Sequence, residues 1–248
     1  MTAAKQIPGF YSPFLEVIAC SLSDAVAAEQ GGADRLELIC RYDLGGLTPD
    51  FTLIDSVLRT VTIPVRVMLR DDPSFHVHRP TDRRELVNKA EQLAQRPLQG
   101  LVFGFLQQDG LDEVLLTEVL AAAAGRPVTF HRAFEQLVDP LHALSRLKAF
   151  PQIDRILTSG GDGDWTERLI RLQKWQTCGA PEIGILVGGG VTTEWMEKLV
   201  PMGFYEYHVG RMARQGESLQ GPVQAERVVE LKKVLHALCA RHGVPLRA

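Results

Sequence analysis

Residues 15–46 read LEVIACSLSDAVAAEQGGADRLELICRYDLGG. An apolar run, an alanine-rich helical pattern and a second apolar run follow one another in this stretch. Each apolar run carries one glutamate, Glu16 and Glu37, and closes on a cysteine, Cys20 and Cys40. Ser21 or Ser23 is placed to cap the helix, and Gly31 and Gly32 to end it. The stretch is therefore a βαβ unit, which implies parallel strands joined by a right-handed crossover.

The alternation continues to the end of the chain. Strand patterns recur at 65–70, 100–105, 127–132, 154–159, 182–188 and 205–210, with the first two at 14–19 and 35–39. Helical patterns fall between them at 50–60, 81–95, 112–124, 140–149, 165–177 and 192–199, and a long one at 223–240 closes the chain. For the helix at 50–60, Thr48 is the expected cap and Pro49 the first helical residue. Eight β–α units in 248 residues predict an α/β fold, a single (β/α)8 TIM-type barrel spanning 1–248, with residues 1–13 as a loose arm. No GxGxxG turn follows the first strand, which weakens a doubly wound sheet and leaves no nucleotide cofactor motif.

Composition narrows the partners. A net charge of -3 offers no electrostatic pull toward nucleic acid or an acidic membrane. No run of about 18 apolar residues suggests a span, and no secretory h-region is visible at the start. The four cysteines form no CxxC pattern, so a cytoplasmic protein with reduced thiols is expected. Oligomeric state is left open, a homo-oligomer included.

Strands covered on both faces should be almost entirely aliphatic. Here Glu16, Glu37, Arg66, Arg70, His131, Arg132, Glu206 and His208 interrupt them. Burying an unpaired charge costs several kcal/mol or more, so these residues either face a solvated mouth or pair with one another. Period-two alternation puts Glu16, Ile18 and Cys20 on one face, and Arg66, Met68 and Arg70 on another. At the C-terminal strand ends, where barrel active sites lie, fall Cys20, Cys40, Arg70, His131, Arg132 and His208. His131 is the first candidate general acid–base group. Arg70 or Arg132 would clamp an anion, and Glu16 and Glu37 would position the bases or act on the substrate themselves. Ser159 and Gly160, then Gly189 and Gly190, then Arg211 follow the last three strands, where glycine-rich turns commonly bind phosphate.

The segments LEVIACS, GGADRLELIC, GGLTP, IPVRVMLR, PVTFHRAFE, DRILTSGG and the turn at 188–190 together resemble the copper homeostasis protein CutC family, in order and spacing, over about residues 15–190. The resemblance implies a TIM-type barrel, a cytoplasmic setting and a role in copper handling. It puts the candidate copper ligands at Cys20 and Cys40. Cu(I) is soft and favours thiolate, and Met68 would add a third sulfur. Alternation opposes the simplest site: with Glu16 and Glu37 both inward, Cys20 faces inward and Cys40 outward. The chain departs from the family pattern after the third strand, where RDDPSFHVHRP brings in His76 and His78, and in HVGRM, which keeps His208 only. Two functions stay open: a Cu(I)-binding protein using Cys20 and Cys40, or a barrel enzyme of unspecified reaction on a small anionic or phosphorylated substrate.

Overall fold

The computed structural model describes residues 12–108 and 110–245. Most of the expected arm, residues 1–13, lies outside the described residues. Eight parallel strands close into a barrel, as the alternation predicts. They are β1 (Phe14–Ala19), β2 (Arg35–Leu38), β3 (Val65–Met68) and β4 (Gly100–Phe103). A short hairpin, β5 (Leu106–Gln107) and β6 (Gly110–Leu111), leaves the barrel after β4. The wall resumes with β7 (Val128–Phe130), β8 (Ile153–Thr158), β9 (Gly184–Val187) and β10 (Glu206–Val209), and β10 pairs with β1 to close the ring.

Eight helices cover the outside: α1 (Leu22–Gln30), α2 (Phe51–Thr60), α3 (Pro80–Ala94), α4 (Glu113–Ala122), α5 (Pro140–Leu147), α6 (Trp165–Gly179), α7 (Thr193–Leu199) and α8 (Ala225–Arg241). Side-chain caps start six of them. Ser21, Asp50, Asp112, Asp139, Asp164 and Thr192 each accept a hydrogen bond from the backbone N–H three residues on. Each cap contributes about 1 kcal/mol. Asp50, not Thr48, caps α2. The Thr48 hydroxyl instead exchanges hydrogen bonds with the Arg70 backbone, its Oγ1 donating to the carbonyl at 3.0 Å and accepting from the N–H at 2.8 Å. Thr48 therefore joins the loop after β2 to the end of β3. No helix among the described residues is long and apolar enough to cross a membrane.

Alternation divides the buried side chains into two sets. Leu15, Val17, Leu36, Val67, Leu101 and their equivalents pack outward against the helices in the large core. Inside the barrel the charged residues pair with one another. Arg66 forks onto Asp154 with Nη1–Oδ1 2.7 Å and Nη2–Oδ2 2.6 Å, and donates to Thr129 Oγ1 at 2.6 Å. Asp154 also accepts from Arg155, whose fork holds Glu206 at 2.6 and 3.0 Å. Above this polar layer Ile18, Ile39, Met68 and Val102 form a small apolar cluster, with Cys20 and Tyr42 packed against it.

The wall is tight where strands approach. At Gly100 a side chain would collide with the Pro127 carbonyl oxygen, which is backbone and cannot turn aside. Gly100→Ala is expected to destabilise the protein by about 1–3 kcal/mol. A urea unfolding midpoint unchanged from the parent would contradict this reading.

Candidate functional site

The C-terminal ends of the strands open onto a cavity of about 760 Å³. Glu37, His131, Arg132, His208, Gly189 and Arg211 are among its walls. The apolar cluster at Ile18, Ile39 and Met68 supplies the greasy part of the lining.

A chain of four ionisable groups runs into one side of the cavity, where His208 and Glu37 line it. Arg35 Nε donates to Glu16 Oε2 at 2.5 Å. The other Glu16 oxygen, Oε1, lies 2.7 Å from His208 Nδ1. A carboxylate flanked by Arg35 can only accept, so Nδ1 carries the proton and Nε2 turns toward Glu37, 3.6 Å from its Oε2. Burial would raise the Glu16 pKa, but Arg35 and His208 together hold it well below the usual carboxylate range. His208 moves upward: burial disfavours its cation, and Glu37 and Glu16 overcome that. For Glu37 burial dominates, and its carboxyl is pushed up to about 7, with His208 opposing the rise and Glu16 adding to it. Glu37 Oε1 is buried with no hydrogen-bond partner. A carboxyl in this state exchanges a proton near neutral pH, as a general acid or base must.

His131 sits elsewhere on the wall, in surroundings that disfavour the cation the expected general base would form. Its Nδ1 accepts from the Ala133 N–H at 3.3 Å, so the neutral ring carries its proton on Nε2. Burial, then the neighbouring Arg70, pushes its pKa down to about 3. The ring stays neutral at physiological pH and presents a buried Nε2–H with no partner. Arg70 is not an open anion clamp either. Its guanidinium donates to the carbonyls of Asp72 (3.0 Å), Gly45 (3.4 Å), Gly46 (3.3 Å) and Pro73, and lies 4.5 Å from the centre of the Phe75 ring. It ties the loop after β2 to the loop after β3, because the backbone there offers more acceptors than the alternation pattern alone reveals.

The expected anion site divides in the same way. Ser159 and Gly160 are already used: Ser159 donates its N–H (2.5 Å) and hydroxyl (2.9 Å) to Glu135 Oε1, and the Gly160 N–H goes to Thr158 Oγ1 at 3.0 Å. Glu135 is thus an internal anion seated in the turn, held also by Arg132 at 2.7 Å. Gly189 and Gly190 do face the cavity, with φ of 76° and 92°, a backbone that glycine adopts without strain. Arg211 stands beside them, its Nη2 4.0 Å from where a Gly190 side chain would begin.

The cysteines are engaged with different segments. Cys20 Sγ accepts from Arg214 Nη2 at 3.4 Å, and Cys40 Sγ donates to the Thr48 carbonyl at 3.1 Å. Cys178 is exposed and Cys239 buried. His76 and His78 stack on each other with ring centroids 5.8 Å apart, and His76 Nε2 lies 3.2 Å from the Gln108 carbonyl. Glu16, Glu37 and His208 offer three ligand atoms within 4.8 Å of one another. However, both Glu16 oxygens already accept from cationic or N–H donors, and Arg35 adds a positive charge where a metal would sit. The set suits proton handling better than a divalent cation.

Sequence reasoning overlooked Arg35, Glu135 and Tyr42. Arg35 shares the face of Glu37 by simple alternation, so its role was available from the pattern. Glu135 follows the strand in a 3-10 turn, where no periodicity points at a partner. Tyr42 packs over the Arg214 guanidinium, with Cζ 5.3 Å from the ring centre, and reaches the cavity because Gly210 leaves room for its hydroxyl.

Comparison with known proteins adds the lineage. The family model described as CutC family matches residues 14–213. The human copper homeostasis protein cutC homolog is 37% identical over 198 residues, covering 78% of this chain and 71% of that protein. The family protein CutC of Photobacterium profundum is 32% identical over 214 residues, covering 85% of this chain and 87% of its own. The solved CutC structure from Streptococcus agalactiae superposes with a TM-score of 0.72 at 26% identity, covering 80% of this chain and 98% of the other.

Proposed function

The chain belongs to the CutC family, and from that premise we propose that it serves copper homeostasis through its barrel mouth, which takes a small anionic ligand and performs acid–base chemistry on it. The observation that carries the reading is the Glu37 carboxyl: buried, unpartnered at Oε1, and poised near neutral pH on the cavity wall. His208, Glu16 and Arg35 orient it from behind. Gly189, Gly190 and Arg211 supply the positive, glycine-lined side on which an anion would rest. Ligand-observed NMR with inorganic phosphate and small carboxylates tests this. Binding is expected, and Arg211→Ala should weaken it about tenfold or more, the worth of one charge-assisted hydrogen bond. Binding untouched by that change, or absent, would count against the assignment.

A second reading keeps Cu(I) as cargo on Cys20 and Cys40, in a cytoplasmic setting where thiols stay reduced. What supports it is that Cys20 packs against the inner apolar cluster to which Met68 belongs. Thiolates are the ligands Cu(I) prefers. Burial pushes the Cys20 thiol up to about 11, so binding must expel a proton, which the adjacent Arg214 eases. Cys40 would have to release the Thr48 carbonyl. The expected result is Cu(I) binding that the double variant Cys20→Ser, Cys40→Ser loses by at least 100-fold in a chelator competition. Equal affinity in that variant removes this reading and leaves the first intact.

A further inference from the structure

Resting on the reading of the mouth as a small-anion site, we infer that the ligand is a carbonyl compound with an anionic end. On this inference the site moves a proton at the carbon beside the carbonyl, with Glu37 taking the proton and the His131 Nε2–H holding the oxygen.

Two residues that line one cavity each hold a buried polar atom without a hydrogen-bond partner, and the two atoms are complementary. Glu37 Oε1 is an acceptor and His131 Nε2–H a donor. Leaving such a group unpaired costs about 1–3 kcal/mol, and an occupant of the cavity would recover it. A carbon acid asks for this combination: an acceptor for the C–H proton and a donor for the oxygen that becomes negative.

The donor is held in advance. The Ala133 N–H fixes the ring tautomer. Phe75 packs on the His131 ring with centroids 4.9 Å apart, and Phe130 meets its edge at 6.3 Å. Gly104 makes room for it, since a side chain there would lie 2.8 Å from Nδ1. On the other side, hydrogen bonds run from Arg35 through Glu16 to His208, which faces Glu37. Glu37 projects from β2 and His131 follows β7, three strand steps apart in the ring order. At about 4.8 Å a step that is roughly 14 Å of wall.

The step balances without a co-reactant. The C–H bond breaks, its electron pair forms the new C=C, and the carbonyl π pair moves onto oxygen. The proton rests on Glu37, and if the carboxyl exchanges it with solvent water before returning one to the same carbon, the outcome is exchange; where the α-carbon bears a hydroxyl, return to the former carbonyl carbon, with the hydroxyl proton passing to the enolate oxygen and its O–H pair forming the new C=O, is isomerisation. The ionisation states agree with these roles: a carboxyl near 7 is a stronger base than an ordinary one, and an imidazole near 3 remains a neutral donor.

The full chain in deuterated water, with pyruvate, 2-oxoglutarate and dihydroxyacetone phosphate as separate probes, tests the inference by proton NMR. At least one probe should lose its α-proton signal faster than in buffer. Glu37→Gln should reduce that rate at least 100-fold. His131→Leu should reduce it by about 100-fold, the worth of one oxyanion donor, while His131→Gln, which keeps an N–H, should recover part of the loss. Exchange that survives Glu37→Gln overturns the inference. Probes that bind without any exchange overturn it while leaving the anion site standing, and probes that do not bind overturn both.

Discussion

Arg35→Met should lower the free energy of unfolding by about 3–5 kcal/mol, the cost of leaving a buried carboxylate without its counter-charge. Arg35 and Glu16 are 1% and 0% exposed, so neither can recover solvent when the other is removed. Methionine keeps much of the volume beside Phe14, over whose ring the guanidinium sits at 4.7 Å, so the loss reports the charge more than the packing. The double variant Glu16→Leu, Arg35→Met should regain much of that stability, because an apolar pair of similar volume often substitutes for a buried ion pair. The pH dependence separates the two effects. Glu16 is held low in the folded protein, so its contribution is present above the ordinary glutamate range and is lost as pH falls through its lowered folded value. Removing Arg35 lets that pKa rise, and acid unfolding should begin at a higher pH. Chemical denaturation at pH 7, with an acid titration followed by circular dichroism, measures both. A loss below about 1 kcal/mol would mean that Glu16 is adequately served by His208 alone.

Glu37→Gln should abolish the proposed acid–base function and yet stabilise the protein above neutral pH. The folded pKa of Glu37 is raised to about 7 from an ordinary value near 4.5. Between those values the folded state binds more protons than the unfolded state, so stability falls as pH rises through the window. The Glu37 contribution is therefore fully present below about 4.5 and gone above about 7. Glutamine carries no charge to desolvate and removes this penalty. The gain is partly offset because His208 loses the carboxylate that helps hold its pKa up. A net gain of about 1–3 kcal/mol at pH 8, vanishing near pH 4, is the expected outcome. Thermal melts of parent and variant at both pH values check it. A variant less stable than the parent at pH 8 would show that the Glu37–His208 attraction outweighs burial. This is the trade expected when an active group is kept in a place where stability alone would not put it.

Much of the candidate site is legible from alternation. Glu16, Glu37, Arg66 and His208 are polar residues in strands that should be greasy, and all four point into the barrel. Their partners were not legible. Glu16 pairs with Arg35 on the neighbouring strand, and Arg66 with Asp154 across the barrel, because strand register and shear decide which inward side chains meet. Cys20 lies against the inner cluster, while Cys40 donates to the Thr48 carbonyl. The surroundings of His131, Arg70 and Ser159 are set by contacts from loops, which carry no periodic signal. Each depends on a backbone or side-chain partner brought in by a turn: Ala133 for His131, Gly45 through Pro73 for Arg70, and Glu135 for Ser159.

The sequence by itself determined the barrel, since eight apolar runs alternating with amphipathic helices have few other ways to bury both faces of their strands. It also determined which positions face inward, because the side-chain period of a strand is two. Only the tertiary structure decides the surroundings of those inward side chains. A carboxyl is an ordinary acid or a base near 7, and an imidazole a base or a neutral donor, according to what is packed around it. Desolvation and the nearest charges set that, and they belong to the closed barrel rather than to any local stretch of chain.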